Sequence, residues 1–81
     1  MTTNQIIHQA IEKEILLGRY LLSSYSEKIK SLEKKYKITT SAFVRSFENG
    51  KMGDEQDFFE WLALYKGKKH WEEKLSVLKE A

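Results

Sequence analysis

The sequence predicts an all-α fold, in which a long antiparallel helical hairpin carries a short helix across one end. The 81-residue chain contains no proline and only four glycines, so few residues interrupt a helix. Apolar residues recur at steps of three and four, and no alternating run of β-branched residues indicates a strand. We therefore expect a single domain over residues 1–81, with helices over about 4–36, 40–49 and 54–79, which is expected to oligomerise.

The first helix is predicted from its start signal and from one long apolar seam. Thr2 and Gln5 have the spacing of a capping box. The seam then alternates steps of three and four, the period at which one helix lies along another at a shallow angle. Its members are Ile7, Ile11, Ile15, Gly18, Leu22, Tyr25, Ile29, Leu32 and Tyr36.

Two features could break this helix. Gly18 costs about 1 kcal/mol relative to alanine inside a helix, and residues 24–27 (Ser-Tyr-Ser-Glu) form a second capping-box pattern. The seam keeps its phase through both features, which favours a continuous or merely bent helix. Gly18 lies on the seam itself, where the missing side chain would let a neighbouring backbone or a large ring come close.

The helix around Gly18 is apolar on almost every side. One neighbouring helix covers only one stripe, so the remaining apolar surface needs a second partner or stays exposed. This surplus favours self-association or a protein partner; the alternative is that the short second helix covers it. The candidate interface residues are Ile15, Leu16, Leu17, Tyr20, Leu21 and Leu22.

The second helix is predicted from capping residues at both of its ends. Thr39 is the predicted N-cap, which places Ile38 and Phe43 at the spacing of a hydrophobic staple. Asn49 and Gly50 end the helix with residues that tolerate positive φ.

The third helix is predicted to start at the N-cap Asp54, with acids in its first turn that favour the helix dipole. Aromatic residues follow at helical spacing. The residues assigned to the core, and the capping and turn residues around them, are Ile38, Phe43, Phe47, Gly50, Gly53, Asp54, Phe58 and Trp61. Tyr65 and Trp71 are left to meet another chain, so they join the candidate interface.

The residues do not support an active site or a cofactor. His8 with Glu12 and His70 with Glu73 could each place two ligands on one helix face, but neither pair makes a metal site alone. The chain contains no cysteine, which excludes thiolate-bound zinc. We expect no enzyme activity, no cofactor and no metal.

Charge and hydropathy exclude further classes of function. The formal net charge is only +2, far from the basic footprint of a dedicated nucleic-acid binder. The start of the third helix would also present acids to phosphate, so nucleic acid is an unlikely partner and only weak contact through lysines is left open. No stretch approaches the ~20 apolar residues of a membrane span, and no secretion signal is visible. We expect a cytoplasmic protein without membrane contact.

Residues 33–65 resemble a family of short all-helical proteins of archaeal and bacterial toxin-antitoxin pairs. The resemblance rests on residues 33–43 (EKKYKITTSAF), 47–54 (FENGKMGD) and 57–61 (DFFEW). The chain departs from the family pattern at Lys37, where glycine is usual, and at Thr39-Thr40, where two serines are usual; both changes preserve capping chemistry.

The resemblance implies an antitoxin-like, non-enzymatic protein that binds and neutralises a cognate toxin. The alternative is a self-assembling helical structural or adaptor protein without a toxin. A weak nucleic-acid binder is the third possibility.

Overall fold

The computed structural model describes residues 2–80 and contains three helices, α1 (Thr3–Tyr36), α2 (Thr40–Glu48) and α3 (Gln56–Glu80). Residues 2–80 form no strand. The end of α1 contacts the start of α3, since Lys35 Nζ lies 2.7 Å from Asp57 Oδ2, and further along the pair Lys74 Nζ lies 2.9 Å from Glu14 Oε1. The two long helices are therefore antiparallel, and the molecule measures 54 × 21 × 18 Å. The predicted all-α hairpin with a third, short helix is confirmed.

α1 is one uninterrupted helix of 34 residues, which makes it about 50 Å long. Thr2 and Gln5 form the predicted capping box. The helix passes through Gly18 and Ser24 without a break, so the continuous reading is confirmed. It ends at Tyr36, and the C-cap residue Lys37 has a left-handed backbone with a φ of 57° and a ψ of 38°.

Gly18 lets the two long helices approach each other. A Cβ at this position would lie 2.7 Å from Trp71 Cε3 and 2.9 Å from Leu75 Cδ2, closer than carbon atoms approach without strain. The prediction that a neighbouring backbone or a large ring comes close to Gly18 is therefore confirmed, and the group is the ring of Trp71. Farther along the hairpin, the ring of Tyr25 lies near Gly67 less tightly, since a Cβ there would lie 3.2 Å from Tyr25 Cε2.

An aromatic core joins all three helices at one end of the hairpin. Phe43 of α2 stacks on Trp61 of α3 with ring centroids 4.1 Å apart and planes 2° apart, and neither side chain is exposed to solvent. Tyr36 of α1 covers Trp61 at 5.9 Å, and Phe58 packs against Phe43 at 5.8 Å. Ile38 and Phe47 pack on this cluster and are partly buried. Stacked pairs of this kind add about 0.5–1.5 kcal/mol each to the free energy of burial.

Both ends of α2 are capped by local hydrogen bonds. Thr39 Oγ1 accepts from the Ala42 N–H at 3.2 Å, as expected of an N-cap. At the other end Gly50 has a φ of 69°. Its N–H donates to Phe47 O at 3.1 Å, and Lys51 N–H donates to Ser46 O at 2.9 Å. These two bonds form a Schellman motif, which explains the glycine.

A polar relay fixes α2 to both long helices. Trp61 Nε1 donates to Thr40 Oγ1 at 3.1 Å. The Thr40 backbone N–H and hydroxyl both donate to Glu33 Oε2, at 2.8 and 2.9 Å. The buried indole N–H of Trp61 thus has a hydrogen-bond acceptor. The carboxylate of Glu33 lies at the first turn of α2, where negative charge is favourable.

The start of α3 differs from the prediction. The helix begins at Gln56, two residues after the predicted N-cap Asp54, and Gly53 and Asp54 lie exposed in the connection before it. Asp57 is the only acid of the first turn. Its carboxylate accepts from Lys35 Nζ at 2.7 Å and from the Tyr36 hydroxyl at 2.6 Å. These two hydrogen bonds, that from Lys35 first, lower the pKa of Asp57, so this acid ties α3 to the end of α1.

Candidate functional site

Several large apolar side chains on one side of α1 are exposed to solvent. Leu16, Leu17 and Tyr20 are 64, 47 and 70% exposed, and Ile6 farther along the helix is 54% exposed. We call these four residues the outer face. Large apolar side chains that stay together in solvent mark an interaction surface more often than scattered single ones do.

The rotation of α1 explains why this surface stays open. A residue turns 100° from its neighbour along a helix, so the residues beside buried Gly18 divide between two sides. Ile15, Leu21 and Leu22 are partly buried towards α3. Leu16, Leu17 and Tyr20 point the other way. The predicted interface cluster is therefore split, and only half of it remains available.

The short second helix does not cover the outer face. α2 packs through Phe43 on Phe58 and Trp61 at the far end of the hairpin. The exposure of Leu16 and Tyr20 shows that no other helix reaches them. The alternative in which α2 shields the surplus apolar surface is therefore wrong.

Trp71 differs from the expectation of a ring left free for another chain. The Cε3 and Cζ3 atoms of its ring lie against Gly18. Lys74 Nζ lies 4.5 Å from the ring centroid, a cation–π distance, and His70 meets the ring edge-on at 5.9 Å. Trp71 is therefore partly buried within the hairpin and serves its packing. The sequence contained a signal for this contact, namely the glycine on the facing seam.

Tyr65 lines a groove of about 620 Å³ between α1, the start of α2 and α3. Three lysines, Lys30, Lys68 and Lys69, share this groove with Glu33 and Glu72. Glu33 already accepts from Thr40. The mixed charge gives the groove little preference for phosphate, so it does not strengthen the case for nucleic acid.

The described part of the chain shows neither a metal cluster nor a membrane span. Over residues 2–80, no three side chains of His, Asp or Glu gather where they could hold a metal ion. None of the helices α1 to α3 has a stretch apolar and long enough to cross a bilayer.

Fold and surface together define a small three-helix protein whose longest helix is apolar on two opposite sides. Comparison of the sequence and the structure with family models, curated proteins and solved structures found no match.

Proposed function

We propose that this chain is a non-enzymatic, antitoxin-like protein-binding module that binds and neutralises a cognate toxin-like protein through the outer face of α1. The resemblance of residues 33–65 to antitoxin-like proteins supports the kind of partner. The exposure of the outer face supports the kind of contact.

The observation that carries the proposal is the exposure of Leu16, Leu17 and Tyr20 on one side of α1. Their spacing of one, three and four residues places them on adjoining turns, which is how an amphipathic helix fills a groove of a partner. Burying a large apolar side chain yields about 1.5–3 kcal/mol. Tyr20, the most exposed of the three, is the central anchor, since tyrosine is enriched among the residues that dominate interface energies.

Co-expression tests this proposal directly. The chain is produced together with the product of its neighbouring gene, and the complex is isolated through a tag on one of the two proteins. We expect co-purification and relief of any growth inhibition that the neighbouring protein causes alone. A normal growth rate with and without this chain, and no complex, would refute the toxin-binding role.

Matched substitutions test the surface. Tyr20→Glu places a charge in the outer face and should abolish co-purification. Val77→Glu is the control, because Val77 is a similarly exposed apolar residue, 67% exposed, on α3. It should leave the complex intact. Equal loss with both variants would show that the outer face is not the binding surface.

The second candidate is a self-assembling helical protein that needs no toxin. It is favoured by the same surplus of apolar surface, which a further copy of α1 could cover as well as a foreign protein could.

A further inference from the structure

Two opposite charges lie at equal distances on either side of Tyr20, along the same side of α1. Lys13, Tyr20 and Glu27 are each seven residues apart and all exposed. Residues at this spacing drift by only ~20° around a straight helix, so the three side chains form one stripe. Lys13 and Glu27 each lie roughly 10 Å along the helix from Tyr20. Neither belongs to the ion pairs found over residues 2–80, which join Lys35 to Asp57 and Lys74 to Glu14.

We propose that the outer face binds a second copy of this chain, with the two α1 helices antiparallel and Tyr20 at the two-fold axis. In this arrangement Lys13 of each copy lies level with Glu27 of the other, which gives two pairs of opposite charges. A parallel pairing would set Lys13 against Lys13 and Glu27 against Glu27. The charges on the stripe therefore select the antiparallel orientation, as flanking charges do in paired helices.

The side chains beside the stripe fit this register. Leu16 of one copy lies level with Ser24 of the other, and Leu17 with Ser23. Large residues thus face small ones, which lets two helices approach closely. The contact involves one helix of each copy over two to four turns on each side of the axis, and we expect it to bury less than the ~800 Å² per partner of a standard interface. We therefore expect a dimer that dissociates in the micromolar range.

This pairing does not rest on the proposed toxin-binding function. Both occupants use the outer face, so a toxin would replace the second copy and form a one-to-one complex. The dimer is tested on the isolated chain, and the toxin on the co-expressed pair. Failure of one experiment is thus distinct from failure of the other.

Charge reversal tests the register. Sedimentation velocity across a dilution series measures the dissociation constant of the purified full chain. Lys13→Glu replaces two attractive pairs by two repulsive ones, and we expect the constant to rise about tenfold. Glu27→Lys alone should do the same. The double variant Lys13→Glu with Glu27→Lys restores both pairs and should return to within about threefold of wild type.

Cysteine cross-linking tests the orientation, because the chain contains no native cysteine. Under oxidised glutathione, Tyr20→Cys should form a disulfide-linked dimer. Lys13→Cys should cross-link poorly alone but efficiently when mixed with Glu27→Cys, since a disulfide requires Cα atoms within about 7 Å.

Three results would overturn the proposal. The first is a wild-type chain that stays monomeric up to several hundred micromolar. The second is a double charge reversal that does not restore association. The third is efficient linkage of Lys13→Cys to itself, which would indicate parallel helices. Circular dichroism of each variant verifies that the helices remain folded.

Discussion

The contact between Gly18 and Trp71 yields a prediction in which two opposing effects have known sizes. Gly18→Ala adds a methyl group to the interior of α1. Alanine is favoured over glycine by about 1 kcal/mol in a helix interior. At this position, however, the added carbon would lie 2.7 Å from Trp71 Cε3 and 2.9 Å from Trp71 Cζ3 and Leu75 Cδ2. The ring and the leucine must both move.

The expected net effect follows from these distances. Overpacking of a tight contact costs about 1–3 kcal/mol. The gain in helix propensity offsets part of this cost. Gly18→Ala should therefore lower the free energy of unfolding by about 1 kcal/mol. For a domain of this size, that corresponds to a fall in Tm of about 4–8 °C.

A double-mutant cycle isolates the cause. In a Trp71→Ala background the ring is absent, and Leu75 can rotate its methyl group away. Gly18→Ala should then stabilise the protein by about 0.5–1 kcal/mol through helix propensity alone. The coupling between the two positions would be about 1.5–2 kcal/mol.

The assay is urea unfolding followed by circular dichroism, at one protein concentration for all variants because association shifts apparent stability. Ala63→Gly, at an exposed site of α3, calibrates the propensity difference in this protein. If Gly18→Ala stabilises the wild-type chain as much as it stabilises the Trp71→Ala variant, the packing account of Gly18 is refuted.

Three further changes probe the caps and the polar contacts. Lys37→Gly should raise stability by about 0.5–1 kcal/mol, because Lys37 has a left-handed backbone that glycine adopts without strain; Lys34→Gly, inside α1, should instead lower it in the same thermal melt. Thr40→Val should cost about 1–3 kcal/mol in urea unfolding, because it leaves the buried Trp61 indole without its acceptor; Thr40→Ser should retain most of the stability. The hydrogen bonds from Lys35 and Tyr36 hold the pKa of Asp57 below its ordinary value in the folded state. Ionised Asp57 therefore contributes its full share of the free energy of unfolding above the pKa of the unfolded state. This contribution is lost as pH falls through the lower pKa of the folded state. A pH series of melts should show a fall below about pH 4 that is smaller in Asp57→Asn.

Features encoded by neighbouring residues could be predicted from the sequence. The seam through Gly18 keeps its phase over the whole of α1, and the structure keeps that helix unbroken. The cap at Thr39 and the stop at Gly50 also depend on atoms within five residues. For such features, residue type and spacing are enough to predict where a helix continues, starts or ends.

Features that depend on the register between α1 and α3 could not be predicted. Glycine at position 18 indicates that a neighbouring backbone or a large ring comes close, but no local pattern links it to Trp71, which is 53 positions away. The start of α3 was misplaced for a related reason. Asp57, not Asp54, is the acid that matters there, because Lys35 and Tyr36 reach it from α1. Local capping rules do not include that contact.

The outer face lies between these two cases. Its apolar residues were visible in the sequence, and helix rotation alone separates Leu16, Leu17 and Tyr20 from Gly18 and Leu22. Which half of the predicted interface cluster faces α3 depends on where α3 lies, and the sequence does not show this. Only the structure shows that Ile15 belongs to the hairpin and Leu16 to the surface.

The two tryptophans occupy different environments, and this makes the protein its own optical reporter. Trp61 has no exposed surface and stacks on Phe43 of α2, whereas Trp71 lies partly exposed beside Gly18. The fluorescence of Trp61 should therefore follow the docking of α2, and that of Trp71 the closure of the far part of the hairpin. Replacing one indole at a time by phenylalanine would let the opening of each region be recorded separately, without an added dye.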